Sequence, residues 1–299
     1  MLKMQYGLYV HNFCEYGDPH NLIALAVDAE QAGWDGFFMW DHLQLYRHSA
    51  IPVVDAWIAL AGIAARTEHL KIGPVITPLA RRRPWKVARE VVSLDQLSRG
   101  RLVFGVGLGA PPDAEFDCFG EDPSDRVRAH KLDEGLTVLD GLWKGETFSH
   151  QGEFFHIDRV KFVPRAMQSP RVPMWVAGFW PNKPPMRRAA RWDGVFPLKM
   201  PPVPLVGLRP GAAPWSALWL QPNELAEAAK YVGSHRTSSG PFDVVASGAT
   251  PLGDKAKGQE IVSGFHDVGA TWWLESLDEQ RGSFDLMREH VRNGPPKVR

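Results

Sequence analysis

The chain has 299 residues, 44% of them hydrophobic, with 34 basic and 34 acidic side chains and a formal net charge of zero. That length supports one large α/β barrel or two ordinary domains. The neutral balance supplies no field that would recruit nucleic acid or an anionic membrane, and the longest apolar run, around Trp57 to Ala65, is too short to span a bilayer.

Taken in chain order, short β-rich runs alternate with helical patterns. Met4 to Val10 is a predicted strand, and His20 to Gln31 a helix stopped by Gly33. Asp35 to Trp40 is a strand, and Asp55 is placed to cap a helix running to about Arg66. Leu70 to Ile76 is a strand, Pro84 to Leu97 a helix with proline in its first turn, Arg101 to Val106 a strand and Arg126 to Trp143 a long amphipathic helix. Later strands are expected at Met174 to Ala177, Gly194 to Pro197, Phe242 to Ala246 and Thr271 to Glu275. Helical patterns near Pro185–Arg191, Asn223–Gly233 and Gly258–Val268 lie between them. Eight strands, most followed by a helix, imply parallel pairing and closure into an α/β (β/α)8 TIM barrel as a single domain over residues 1–299. Gly33-Trp34-Asp35-Gly36 is echoed by Arg191-Trp192-Asp193-Gly194, and Gly269-Ala270-Thr271-Trp272 holds the same place before the last strand.

Two stretches break the rhythm. Residues 145–173 read as an inserted hairpin, with arms at Glu153 to Ile157 and Val160 to Val163. Residues 201–222, rich in Pro, Gly and Trp, read as a lid-like loop. Cys14 and Cys118 read as reduced thiols, and Met1 to Met4 run straight into the first strand with no apolar leader, so a soluble cytoplasmic protein is expected.

In such a barrel, chemistry gathers where the strands end. His11 follows the first strand, Asp41 and His42 the second, Thr77 and Arg81 to Arg83 the third and Gly107, Leu108 and Gly109 the fourth. Gly178, Phe179 and Trp180 follow the fifth, Lys199 the sixth, Ser247 the seventh and Glu275 the eighth. His42, beside a carboxylate, is the sharpest candidate for acid–base work; alternatively Asp41 begins a turn and His42 packs against Tyr46. The alternating glycines Gly105, Gly107 and Gly109 let a flat ring or a backbone come close, or simply form a tight strand exit. No helix opens directly after them, so they are not a dinucleotide fingerprint. The loop Ala177 to Asn182 offers backbone N–H groups to a phosphate, with Arg187 and Arg188 in support, or is an ordinary β-to-α turn. Arg81-Arg82-Arg83 can meet an anionic cofactor tail or form a solvated helix start. Asp113, Glu115 and Asp117 read as a solvated loop. No serine-hydrolase elbow, phosphate loop or metal-ligand spacing is present.

Together, Glu30 to Phe38, Trp40-Asp41-His42, Leu94 to Leu102, Gly105 to Gly109 and Val176 to Gly178 resemble the luciferase-like monooxygenase superfamily of flavin- and deazaflavin-dependent barrel oxidoreductases. The similarity runs to about Pro197, loosens over 201–219 and returns near Gly269 to Trp273. The resemblance implies a redox ring across the barrel mouth, with a non-proline cis peptide behind it near Val75-Ile76-Thr77. It implies cofactor contacts from Asp41, Ile76, Thr77, Gly107, Leu108 and Gly109, a phosphate by Ala177, Gly178, Phe179 and Trp180, and catalysis by His42 with Asp41. Substrate contacts are expected from His11, Trp40 and Lys199, and a homodimer is implied. The Asp-His pair, and Leu108 where flavin monooxygenases resembling luciferase tend to carry arginine, favour coenzyme F420 over FMN. Ala110 stands where the sugar-phosphate dehydrogenases of the deazaflavin group carry glutamate, which argues against that substrate. The aromatic residues Trp40, Phe179, Trp180, Trp215 and Trp219 suggest an apolar or aromatic small molecule. The expectation is hydride transfer to or from such a substrate. The alternatives are a monooxygenase that activates O2 with reduced FMN, and a non-catalytic flavin-binding barrel.

Overall fold

Eight parallel strands form the centre of the molecule: β1 (Gln5–Val10), β2 (Gly36–Met39), β3 (Lys71–Pro74), β4 (Phe104–Gly107), β5 (Met174–Trp180), β6 (Gly194–Lys199), β7 (Asp243–Gly248) and β8 (Trp272–Leu277). The computed structural model describes residues 3–48, 50–202, 205–207 and 215–298. Each strand pairs with the next, and β8 returns to β1 in register from Gln5↔Trp272 to Val10↔Leu277. Between β3 and β4 the seam is closed by the bridge Ile72↔Leu102 and by Thr77–Pro78, which pairs with Val106 and Gly107.

Helices α1 (Pro19–Gln31), α2 (Ala56–Arg66), α3 (Pro84–Leu97), α4 (Asp125–Trp143), α5 (Lys183–Ala189), α6 (Pro222–Gly233), α7 (Lys255–Asp267) and α8 (Phe284–Arg292) surround the strands. Local chemistry sets their starts. Asp55 accepts from Ile58 N at 2.9 Å, Ser124 caps α4, and Gln221 and Glu224 form a capping box on α6. Gly33, at φ 83°, ends the turn after α1.

Inward side chains fill the lower barrel. Phe38, Trp175 and Trp272 meet pairwise with ring centroids 5.0–5.4 Å apart, and each such contact adds about 0.5–1.5 kcal/mol beyond its buried area. Outward residues, among them Leu8, Phe37, Ile72 and Val176, pack beneath the helices. The Trp-Asp-Gly echo has a shared physical basis. Asp35 accepts from Tyr6 N at 2.9 Å, Asp193 from Met174 N at 2.9 Å, and the Thr271 hydroxyl from Val244 N at 3.0 Å. Each caps the foot of the preceding strand. The glycines that follow are required by close packing: a Cβ at Gly36 would lie 2.6 Å from Phe38, and one at Gly194 2.4 Å from Trp175.

The structure differs from the sequence expectation in three places. The third strand is interrupted: it ends at Pro74, and the Val75–Ile76 peptide that follows is cis, at the position the resemblance indicated. The hairpin arms are Thr147–Gln151 and His156–Lys161, so Glu153 to Phe155 belong to the turn. The Glu134 carboxylate holds that turn by accepting from Phe154 N and Phe155 N. Helix α8, which the sequence reading did not identify, buries Phe284, Met287 and Val291. Of the expected lid, residues 203–204 and 208–214 lie outside the described residues. No described helix is long and apolar enough to cross a membrane.

Candidate active site

The barrel interior opens above the aromatic floor into a cavity of about 550 Å³, within the range of small-molecule sites, roughly 300–1,000 Å³. Tyr9, Trp40, Leu45, Ile76, Leu108 and Leu198 contribute to its wall. So do Met200 and, from the described part of the lid-like stretch, Pro201, Pro202, Leu205, Val206, Trp215 and Trp219. Trp215 meets Trp40 edge-on at 5.2 Å, and its backbone N–H donates to Gln280 Oε1 at 3.0 Å.

Asp41 and His42 lie where β2 ends, and both line the cavity. Asp41 is buried, with its carboxylate saturated. Trp57 Nε1 and the Thr77 hydroxyl donate to Oδ2 at 3.0 and 2.8 Å, and Arg82 and Arg81 donate to Oδ1 at 2.9 and 3.3 Å. Burial alone would raise this carboxyl; the two guanidinium groups and the two neutral donors outweigh it and hold the pKa below the usual range. His42 takes its partner from elsewhere. Its Nδ1 lies 2.8 Å from Glu115 Oε1, on the four-residue helix Pro112–Glu115. The same oxygen accepts from Leu43 N at 3.1 Å, and Oε2 is paired with Arg81. Burial, with the Arg81 charge nearby, pushes the imidazolium pKa down to about 3 against the opposing pull of Asp41, so His42 is neutral near pH 7. Its Nε2 makes no hydrogen bond to another described residue.

Of the residues indicated by the sequence, Trp40, Asp41, His42, Ile76, Leu108, Gly109, Ala177, Gly178 and Phe179 meet on this wall. Five do not. Thr77 stands behind it, its hydroxyl committed to Asp41. Gly107 backs Ile76, whose Cδ1 a Cβ there would approach to 2.4 Å. Trp180 packs under Lys183, 3.8 Å from its ring centroid. His11 stacks on Phe13 at 4.0 Å and pairs with Glu279 at 2.7 Å. Lys199 pairs with Glu224 at 2.9 Å. The basic cluster and the expected phosphate helpers are corrected too. Arg81 and Arg82 turn inward to the carboxylates, while Arg188 grips Asp133 at 2.8 and 2.7 Å and Arg187 reaches Tyr231.

The sequence reading missed Glu115 and Tyr9. Glu115, placed there in a solvated loop, is fully buried against His42. Their separation of 73 positions in sequence hides the pairing from any local pattern. Tyr9 lines the cavity, 7% exposed, with a hydroxyl that bonds no other described residue. Strand alternation carried the only available hint that it faces inward.

The barrel and its strand-end cavity define an enzyme-like (β/α)8 protein, and the family follows from direct comparison. Residues 4–202 match the family model described as luciferase-like monooxygenase, and the chain belongs to that family. It is 32% identical over 164 residues to an F420-dependent glucose-6-phosphate dehydrogenase from Microbacterium testaceum (strain StLB037), an alignment covering 54% of this chain and 48% of the relative. The chain thus spans about half the length of the curated relatives it matches. Two solved structures share the fold almost end to end. An F420-dependent secondary alcohol dehydrogenase in complex with an F420-acetone adduct has TM-score 0.73 at 19% identity, covering 96% of this chain and 98% of the other. The oxygenating constituent of 3,6-diketocamphane monooxygenase from Pseudomonas putida, in complex with FMN, has TM-score 0.75 at 14% identity, covering 100% and 99%.

Proposed function

We propose that this chain is an F420-dependent oxidoreductase that transfers hydride to or from an apolar or aromatic small molecule. The observation that carries the reading is the buried imidazole of His42, set on the cavity wall with Nδ1 against Glu115 and an Nε2 that bonds no other described residue. The relatives named as F420-dependent enzymes support the cofactor, as does Leu108 in place of arginine. The residues present fit a planar ring: Ile76, Leu108, Gly109 and Ala177 offer small or apolar surface, and the cavity has the volume for it. Gly178, Phe179 and Asn182 would lie beside the cofactor's phosphate. When bound, the deazaflavin supplies a ring carbon that exchanges hydride with substrate carbon.

The chain's own residues bind, orient and manage a proton. His42 Nε2 meets the substrate oxygen. Trp40 and Trp215 wall off water, and the described residues Pro201, Pro202, Leu205 and Val206 flank the substrate. Asp41 fixes the His42 loop and presents no free oxygen to the ring. Among the described residues the one cationic side chain on the wall is Arg128, which is committed to Leu108 O, Gly109 O, Pro123 O and Asp125. Lys199 is paired off the wall. A wall so poor in free cations favours an uncharged substrate over a sugar phosphate. The reading carries with it a homodimer, as the family resemblance implies, and a single domain working in the cytoplasm, as the sequence pattern suggests.

Titration of the purified protein with F420 and, separately, with FMN, followed by ring fluorescence, tests the cofactor assignment. Micromolar binding of F420 is expected. Binding of FMN with none of F420 overturns the reading in favour of oxygen-activating chemistry.

A further inference from the structure

We infer that Glu115 is a positioning residue that holds His42 in the Nδ1–H tautomer, so that the imidazole presents a bare Nε2 to the cavity and is set to oxidise an alcohol. The inference rests on the proposed function for its substrate chemistry, but the tautomer itself follows from the geometry. Glu115 Oε1 receives Leu43 N at 3.1 Å and faces Gln44 N at 3.4 Å, while Oε2 pairs with Arg81. Backbone N–H groups already point at Oε1 and the guanidinium of Arg81 meets Oε2, so towards the imidazole Oε1 acts as an acceptor. The ring nitrogen 2.8 Å from Oε1 must therefore carry the proton. In a neutral imidazole the other nitrogen then holds a lone pair.

The groups around the ring favour the same state. Asp41 on its own loop is neutralised by Arg81 and Arg82, and Arg81 also offsets Glu115. From the β1 and β2 side the described residues bring the uncharged rings of Phe13 and Trp40, 6.2 and 5.5 Å away, and the neutral amide of Asn12 on the His42 backbone. No net negative charge is left beside the imidazole to draw a second proton onto it.

A bare Nε2 accepts a hydrogen bond from a hydroxyl but gives none to a ketone. In such an oxidation the C–H hydride would leave carbon with its electron pair, for which a bound oxidised deazaflavin would be the acceptor. The O–H bond breaks, its electrons form the carbonyl π bond, and the proton passes to Nε2. Alcohol and oxidised cofactor become ketone, reduced cofactor and imidazolium. Such a weak base takes the proton as the hydride departs, when the hydroxyl has become acidic.

Long-range 1H–15N correlation of histidine-labelled protein reads the tautomer directly, without cofactor, with His42→Asn identifying the signal. The expected result is the Nδ1–H form in the wild type from about pH 5 to about pH 9, the Nε2–H form in Glu115→Ala, and the wild-type form in Glu115→Gln, whose Oε1 still accepts. An Nε2–H imidazole in the folded wild type overturns the inference even if Glu115→Ala does not fold. So does an unchanged tautomer in a folded Glu115→Ala. Failure of the wild type to bind F420 while showing the Nδ1–H form refutes the proposed function and leaves the tautomer assignment supported.

Discussion

Asp41 and His42 are neighbours in sequence with opposite electrostatic situations. The carboxylate is met by donors from α2, from the short segment Thr77–Pro78 and from the turn after it, so it ties these stretches of chain together. Removing one member of such a buried set leaves uncompensated charge, at a cost of about 3–5 kcal/mol. The imidazole is held neutral instead, and this has a consequence for acid stability. Its pKa is about 3 in the folded chain, whereas in the unfolded chain it takes the ordinary value of about 6.5. Between those values the unfolded state binds the extra proton, so stability is complete above about pH 6.5 and falls as the pH drops towards 3. His42→Gln should remove this contribution. Urea unfolding at about pH 6 and about pH 4.5 is expected to show a slope against pH shallower by up to about 1.4 kcal/mol per unit than in the wild type. An identical slope would mean that the buried imidazole titrates normally.

The end of β4 decides the shape of the cavity wall. Gly107 has no side chain to offer the ring; its role is to leave room for Ile76. A methyl group there meets the flexible tip of Ile76, so Gly107→Ala should fold and push that side chain into the cavity. F420 binding is expected to weaken about tenfold or more, with overpacking costing about 1–3 kcal/mol of stability. An unchanged fluorescence titration would show that Ile76 does not touch the ring. The element scale also shows what a sequence can convey. Period, caps and prolines are local, so the eight strands and helix α3 were legible to within a few residues, and β2 led directly to His42. What the pattern hid is made by contacts distant in sequence. Glu115 in its loop, Arg81 and Arg82 in an apparently solvent-facing run, and the hairpin turn set by Glu134 are each placed by a partner tens of residues away or on another element. The break in β3 is local, but it followed from family resemblance rather than from strand propensity.

For the whole molecule, zero formal charge at pH 7 removes the mutual repulsion that keeps proteins apart. Solubility should therefore pass through a minimum near neutral pH and recover by about pH 8.5, as static light scattering across a pH series would report. A second property of the whole arises from the strand feet, where Asp35, Asp193 and Thr271 each hold the strand before them. These clasps lie at the end of the barrel opposite His42, with the rings of Phe38, Trp175 and Trp272 between. The architecture is insulated in this sense: the loops at the mouth can be rewritten for a new substrate while the clasps continue to assemble the staves, which makes the scaffold a practical starting point for laboratory evolution.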